Sequence, residues 1–166
     1  VSAIVSYQYQ GPWKFAGFSL MSNATEKVFV GKVPNSENTR FGVSRARNST
    51  DIKTSSTTMT DFNAGTGNVY LVIGAYDFTT RDFKAKVYDR TTVVPILEPG
   101  SWDVTTNLPP GHIGQVDGIR LASGALGVPD GTIGQTLFDE VRVASSWSAL
   151  IGIFPDPEIA VLGTNF

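Results

Sequence analysis

Short runs of apolar residues recur along this chain, most of them at every second position, and turn residues separate them. Period-2 alternation is the mark of a strand with two unlike faces. It is clearest in Asp82–Phe83–Lys84–Ala85–Lys86–Val87–Tyr88, where Phe83, Ala85 and Val87 share one face and Lys84 and Lys86 the other, wet one. Val69–Tyr70–Leu71–Val72–Ile73 is apolar throughout and reads as a central strand buried on both faces. The same reading predicts strands near Ser2–Gln8, Ala16–Met21, Lys27–Val33, Arg40–Ser44, Asn68–Asp77, Asp82–Asp89, Trp102–Thr105, Val116–Ala122 and Leu137–Ala144. Gly11–Pro12, Gly65–Thr66–Gly67, Pro99–Gly100, Pro109–Pro110–Gly111 and Asp130–Gly131 mark turns between them. Helical periodicity is confined to one turn after Ala144, with Ser145 or Ser146 as N-cap before Trp147–Ser148–Ala149–Leu150. The fold class that follows is all-β, an antiparallel sandwich or barrel.

Two strands echo each other. Val116–Asp117–Gly118–Ile119–Arg120–Leu121 and Phe138–Asp139–Glu140–Val141–Arg142–Val143 both read apolar, Asp, any residue, Ile or Val, Arg, Leu or Val. Period 2 puts Asp117 on the face of Ile119 and Leu121, Asp139 on the face of Val141 and Val143, and both arginines opposite. A carboxylate on a core-facing strand edge is costly unless hydrogen-bonded or paired. Each Asp is therefore expected to accept backbone N–H groups of a neighbouring loop or to hold a cation.

Composition narrows the chemistry. Of 166 residues, 41% are hydrophobic, enough for a packed core, and only 17% are charged. The length suits one domain. The chain has no cysteine, which excludes a disulfide framework, thiolate metal sites and a cysteine nucleophile. Its lone histidine, His112, lies in a Pro/Gly-rich loop and reads as a surface residue, with no Gly-x-Ser-x-Gly elbow to serve. A net charge of −2 gives no reason to expect nucleic acid. No apolar run is long enough to cross a bilayer, and no signal peptide is evident. Charge is uneven: residues 1–90 carry 11 basic and 7 acidic groups, and residues 91–166 carry 2 and 8. That asymmetry fits scattered solvated loops, or complementary surfaces that bring copies together head to tail.

Thr136–Leu137–Phe138–Asp139–Glu140–Val141–Arg142–Val143–Ala144–Ser145–Ser146–Trp147 resembles the last strand and closing turn of laminin-G-like, concanavalin-A-like jelly rolls. Val116–Leu121, Phe15–Leu20 and Glu26–Lys32 match that pattern too. The resemblance implies a laminin-G/concanavalin-like β-sandwich over residues 1–153. Residues 154–166 resemble a linker and the opening strand of a following immunoglobulin-like repeat; the alternative is a terminal strand of the same sandwich. Together these features imply an excised or processed piece of a larger exported protein, on the outside of a cell and bacterial in kind.

Retaining β-glucanases of this fold carry a Glu-x-Asp-x-x-Glu strand, which is absent here. Asp82–Tyr88 is similar to the Tyr-Phe-Lys-Ala-Gly-x-Tyr strand of alginate-lyase jelly rolls, but the upstream Gln-x-His strand they need is missing. The expectation is thus a non-catalytic module that recognises glycans or a surface partner. The alternative is a structural subunit that assembles with its own copies, with Ile159–Leu162 pairing to a neighbour's sheet edge. An atypical polysaccharide hydrolase or lyase comes last.

Trp13 and Trp102, each beside a Gly/Pro turn, are the candidate ligand platforms, since indole rings stack on sugar faces. Trp147 reads as a plug at the core edge. For a structural calcium ion, the candidate oxygens are Asp61, Asn63 and Asn68 in one Gly-rich loop, together with Asp117 and Asp139. Asp and Asn also occupy such turns for conformational reasons alone.

Overall fold

The computed structural model describes residues 1–9, 14–33, 40–46, 52–58, 68–89, 91–125 and 135–152. These form ten strands and one short helix: β1 (Ser2–Tyr9), β2 (Lys14–Ser22), β3 (Thr25–Lys32), β4 (Arg40–Ser44), β5 (Ile52–Thr58), β6 (Asn68–Tyr76), β7 (Asp82–Asp89), β8 (Val104–Asn107), β9 (Gly118–Ala125), β10 (Gln135–Arg142) and α1 (Trp147–Ile151). They build two five-stranded antiparallel sheets. One runs β10-β1-β6-β7-β8 and the other β5-β4-β3-β2-β9. The sheets are a β-sandwich, as the alternation predicts.

The inward positions of both sheets meet in one core. Ala3 and Val5 of β1, Tyr70 and Val72 of β6, and Phe83 and Ala85 of β7 pack against Ala16, Phe18 and Leu20 of β2, Val28 and Val30 of β3, and Phe41 and Val43 of β4. Gly74 makes room for the largest of these side chains. A methyl group there would meet the Phe83 ring at 2.9 Å and the Phe18 ring at 3.3 Å. Across β2 and β3, Gly17 sits directly opposite Gly31. The two backbones approach so closely that a side chain on either would strike the carbonyl of Val30 or of Ala16.

A second layer covers the outer face of the β6–β7 pair. Ile73 and Tyr88 are buried there beneath Leu150 of α1, with Val94, Trp102 and Trp147 around them. The expected apolar-on-both-sides strand 69–73 is thus β6, at the centre of its sheet. The outer face of β7 is drier than alternation predicts, because the 91–103 segment folds back over it. Lys86 is 18% exposed and pairs with Asp103 at 2.9 Å.

Asp103 has a further role. Where β8 begins, its backbone N–H donates to Ala85 (3.0 Å), and its other carboxylate oxygen accepts the N–H of Val87 (2.8 Å). The side chain continues the ladder beyond the last paired residue of β8. Asp103→Ala should lower stability by about 1–3 kcal/mol, through a buried N–H and an ammonium left unsatisfied. Urea unfolding of the two proteins side by side measures it.

The helical turn forms as expected. Ser146 is extended (φ −142°) and its hydroxyl accepts the N–H of Ala149 at 3.3 Å, the geometry of an N-cap. Strand β5 was not expected. Its Lys53–Thr54–Ser55–Ser56–Thr57 stretch has no apolar alternation to announce it, and it pairs with β4 at the sheet edge.

Candidate ligand cleft

A cleft of about 280 Å³ opens at the end of the sandwich beside Val1, between the end of β6 and the segment that follows β10. Its inner wall is core: Leu20, Val116 and Tyr76. Its outer wall is the second layer: Trp102, Trp147 and Leu150. Phe78 and Val143 stand at its mouth, and Glu98, Ser145 and Ser146 add polar groups. The volume admits one or two side chains or a single sugar ring.

The two tryptophans meet edge to face, with ring centroids 6.0 Å apart and planes at 86°. Trp147 is fixed by its Nε1–H, which donates to the carbonyl of Pro95 at 3.0 Å. Lys84 lies over the Trp102 ring, 5.8 Å from its centroid, and faces Glu98 at 3.9 Å. Cation–π contact of this kind holds the indole where it is.

At the mouth, Phe78 is 55% exposed and sits edge-on to Tyr76 at 4.8 Å. The β6–β7 turn presents it. Asp77 closes that turn by accepting the N–H groups of Thr79 (2.7 Å) and Thr80 (3.1 Å), while Arg81 takes a left-handed φ of 65°. Those amides, Thr80's foremost, hold the Asp77 carboxyl below its ordinary range. Burial pushes the Tyr76 phenol above its ordinary value.

Of the residues expected to bind, Trp102 lies in this cleft, and Trp13, Asp61 and Asn63 lie outside the described residues. Asn68 opens β6 opposite Tyr7. Asp117 is exposed ahead of β9, where its Oδ2 accepts the N–H of Asn23 in the β2–β3 turn at 2.6 Å. Asp139 does not face the core. Phe138 turns inward, while Leu137 and Asp139 point to solvent, and Asp139 Oδ1 accepts the N–H of its own neighbour Glu140 at 2.8 Å. The reason is a β-bulge. Glu140 has φ 44°, and the register slips between Ser2↔Arg142 and Ile4↔Asp139, so simple alternation fails across it. Asp117 and Asp139 therefore do not converge. Among the described residues no group of three or more His, Asp and Glu is placed to hold a metal ion.

Trp147 is half-buried at the edge of the Ile73–Tyr88–Leu150 cluster, as expected, and its other side forms the cleft wall. Tyr76, Phe78 and Val143 were not singled out by the sequence. An aromatic residue in a polar five-residue turn, as at Phe78, is the one signal that marks them. His112 is half-buried, and its Nε2 lies 2.7 Å from the carbonyl of Lys27. A carbonyl only accepts, so that nitrogen carries the proton.

No protein-family model, curated protein or solved structure matches this chain.

Proposed function

We propose that this chain is a non-catalytic recognition module, of the laminin-G/concanavalin-A-like kind, within an exported bacterial surface protein. Its ligand is a glycan or a surface partner, taken in the Trp102–Trp147 cleft. The observation that carries this reading is the cleft itself: paired indoles, an exposed phenylalanine at the mouth and, among the described residues, Glu98 as the one carboxylate of its lining. Such a surface is built for contact rather than for proton transfer. Lys84 over one face of Trp102 favours a partner that presents an apolar side chain over a sugar ring that needs the open indole face.

Glycan and peptide arrays probed with the native chain, Trp102→Ala and Phe78→Ser test it. Both variants should lose about tenfold or more of any binding, as interface anchors do. Phe78→Ser alters an exposed turn residue and leaves the fold intact, so it separates loss of contact from loss of structure. Binding that both variants retain would move the ligand elsewhere.

A second reading, a self-assembling structural subunit, has its own support. Leu137 (63% exposed) and Val143 (65% exposed) present apolar side chains on and just beyond β10, an edge strand of its sheet.

A further inference from the structure

The outer face of the β10-β1-β6-β7-β8 sheet carries a second cavity, of about 230 Å³. Ile4 of β1 and Leu71 of β6 form its floor, and Val94, Leu150 and Ile151 its walls. Its rim is charged. Glu140 and Arg142 both line it, and Arg142 Nη2 donates to Glu140 Oε2 at 2.8 Å. The bulge of β10 places them there: the register slips between Ser2↔Arg142 and Ile4↔Asp139, and Glu140, with φ 44°, takes up the slip. The two side chains are 44% and 41% exposed, so the pair contributes little to stability by itself. Ser2, opposite Arg142, lines the same cavity. It is only 3% exposed, yet its hydroxyl has no hydrogen-bond partner among the described residues. Buried hydroxyls are normally bonded, and the cavity is the side from which a partner reaches this one.

We propose that this cavity binds a free apolar α-amino acid, such as leucine or phenylalanine. The rim selects the class. A carboxylate and a guanidinium side by side disfavour a ligand with a single charge, because either sign meets its like. An α-amino acid carries both signs on one carbon. Its carboxylate takes the remaining N–H donors of Arg142 and the Ser2 hydroxyl, and its ammonium donates to Glu140. The side chain leaves the same carbon and enters the apolar interior, whose volume suits one branched or aromatic side chain. This site stands apart from the Trp102–Trp147 cleft. The two share Ile73 and Leu150 in their linings but no charged residue.

Calorimetric titration of the full chain tests the proposal, with leucine, alanine, 4-methylpentanoate, leucinamide and the tripeptide Leu-Gly-Gly as probes. Leucine should bind about tenfold or more tightly than alanine, through the apolar surface of its extra carbons. 4-Methylpentanoate lacks the ammonium, and leucinamide and Leu-Gly-Gly lack the carboxylate beside it. Each should bind about tenfold or more weakly than leucine, having lost a charge-assisted contact. Arg142→Gln should abolish leucine binding. Glu140→Gln should weaken leucine yet strengthen 4-methylpentanoate, a reversal that damage to the fold does not produce. No leucine binding at millimolar concentration, or no reversal in Glu140→Gln, overturns the proposal. So does native binding of 4-methylpentanoate as tight as that of leucine, which would make the cavity a site for apolar anions. Tighter binding of Leu-Gly-Gly would make the occupant a peptide terminus, and leucine binding that both variants retain would place it elsewhere; either result sinks the assignment. Failure here leaves the reading of the Trp102–Trp147 cleft standing, since neither variant touches that lining.

Discussion

Phe18→Ala is expected to cost about 3–5 kcal/mol, the range for deleting a buried aromatic ring. The site explains why the cost falls high in that range. Phe18 is fully buried at the centre of β2, itself flanked by β3 and β9. Its ring crosses the gap between the sheets to Gly74, beside the ring of Phe83. Both flanking strands are fixed by backbone pairing, so the hole cannot close by moving one of them. Because native stability is typically only about 5–15 kcal/mol, this one change removes a large share of it. Denaturant unfolding should show a much lower midpoint at an unchanged slope. A smaller loss in Phe18→Leu, whose side chain refills part of the vacated space, would confirm that a void is the cause. A loss below 1 kcal/mol would show that the sheets relax toward each other.

Stability should rise between pH 8 and pH 10, and Lys32 is the reason. Lys32 is fully buried, at the inward position that follows Val28 and Val30. Its ammonium donates to the carbonyls of Lys14 (2.6 Å) and Val33 (3.4 Å). Burial, and then the charge of Lys14, lowers its pKa from 10.5 to about 8. The folded chain therefore releases this proton before the unfolded chain does. Below pH 8 both states hold it, and folding bears the full cost of burying the charge. As pH climbs from 8 toward 10.5 the unfolded state binds more protons, so the free energy of unfolding increases, by up to ~3 kcal/mol. Above about pH 10 the raised phenols of Tyr76 and Tyr88 oppose the gain, because the unfolded chain ionises them first. Urea midpoints at half-unit steps from pH 7.5 to 10 measure the slope. Lys32→Met should flatten it, and a slope that survives this change would assign the effect to another group.

The sandwich was legible because its strands alternate, and β6 because it does not. Glycine and proline punctuated the rest. Strand β5 escaped because Thr and Ser pair well at an edge without a hydrophobic face. The orientation of Asp139 escaped for a different reason: a bulge at Glu140 depends on how β1 and β10 meet, which no local pattern carries. The buried lysines were open to view, since Lys14 shares parity with Ala16, Phe18 and Leu20, as Lys32 does with Val28 and Val30. Trp102 could be picked out by its turn. That it meets Trp147 could not, because 91–103 and α1 come together only over the finished face of β6 and β7.

The place of β1 has a consequence for how the molecule reaches this state. Its neighbours are β6 on one side and β10 on the other, so Ser2 must find both Ile73 and Arg142. Chain closure over such separations is an entropic toll levied before any contact repays it, and folds dominated by distant pairings form slowly, in milliseconds to seconds. On the ribosome, β2, β3 and β4 can zip in sequence while the first strand waits, apolar and unpaired, for partners not yet made. Strand β1, made before the rest of this sandwich, is thus among the last of its elements to be secured, and the interval before β10 emerges is when the sandwich is most exposed to wrong pairings.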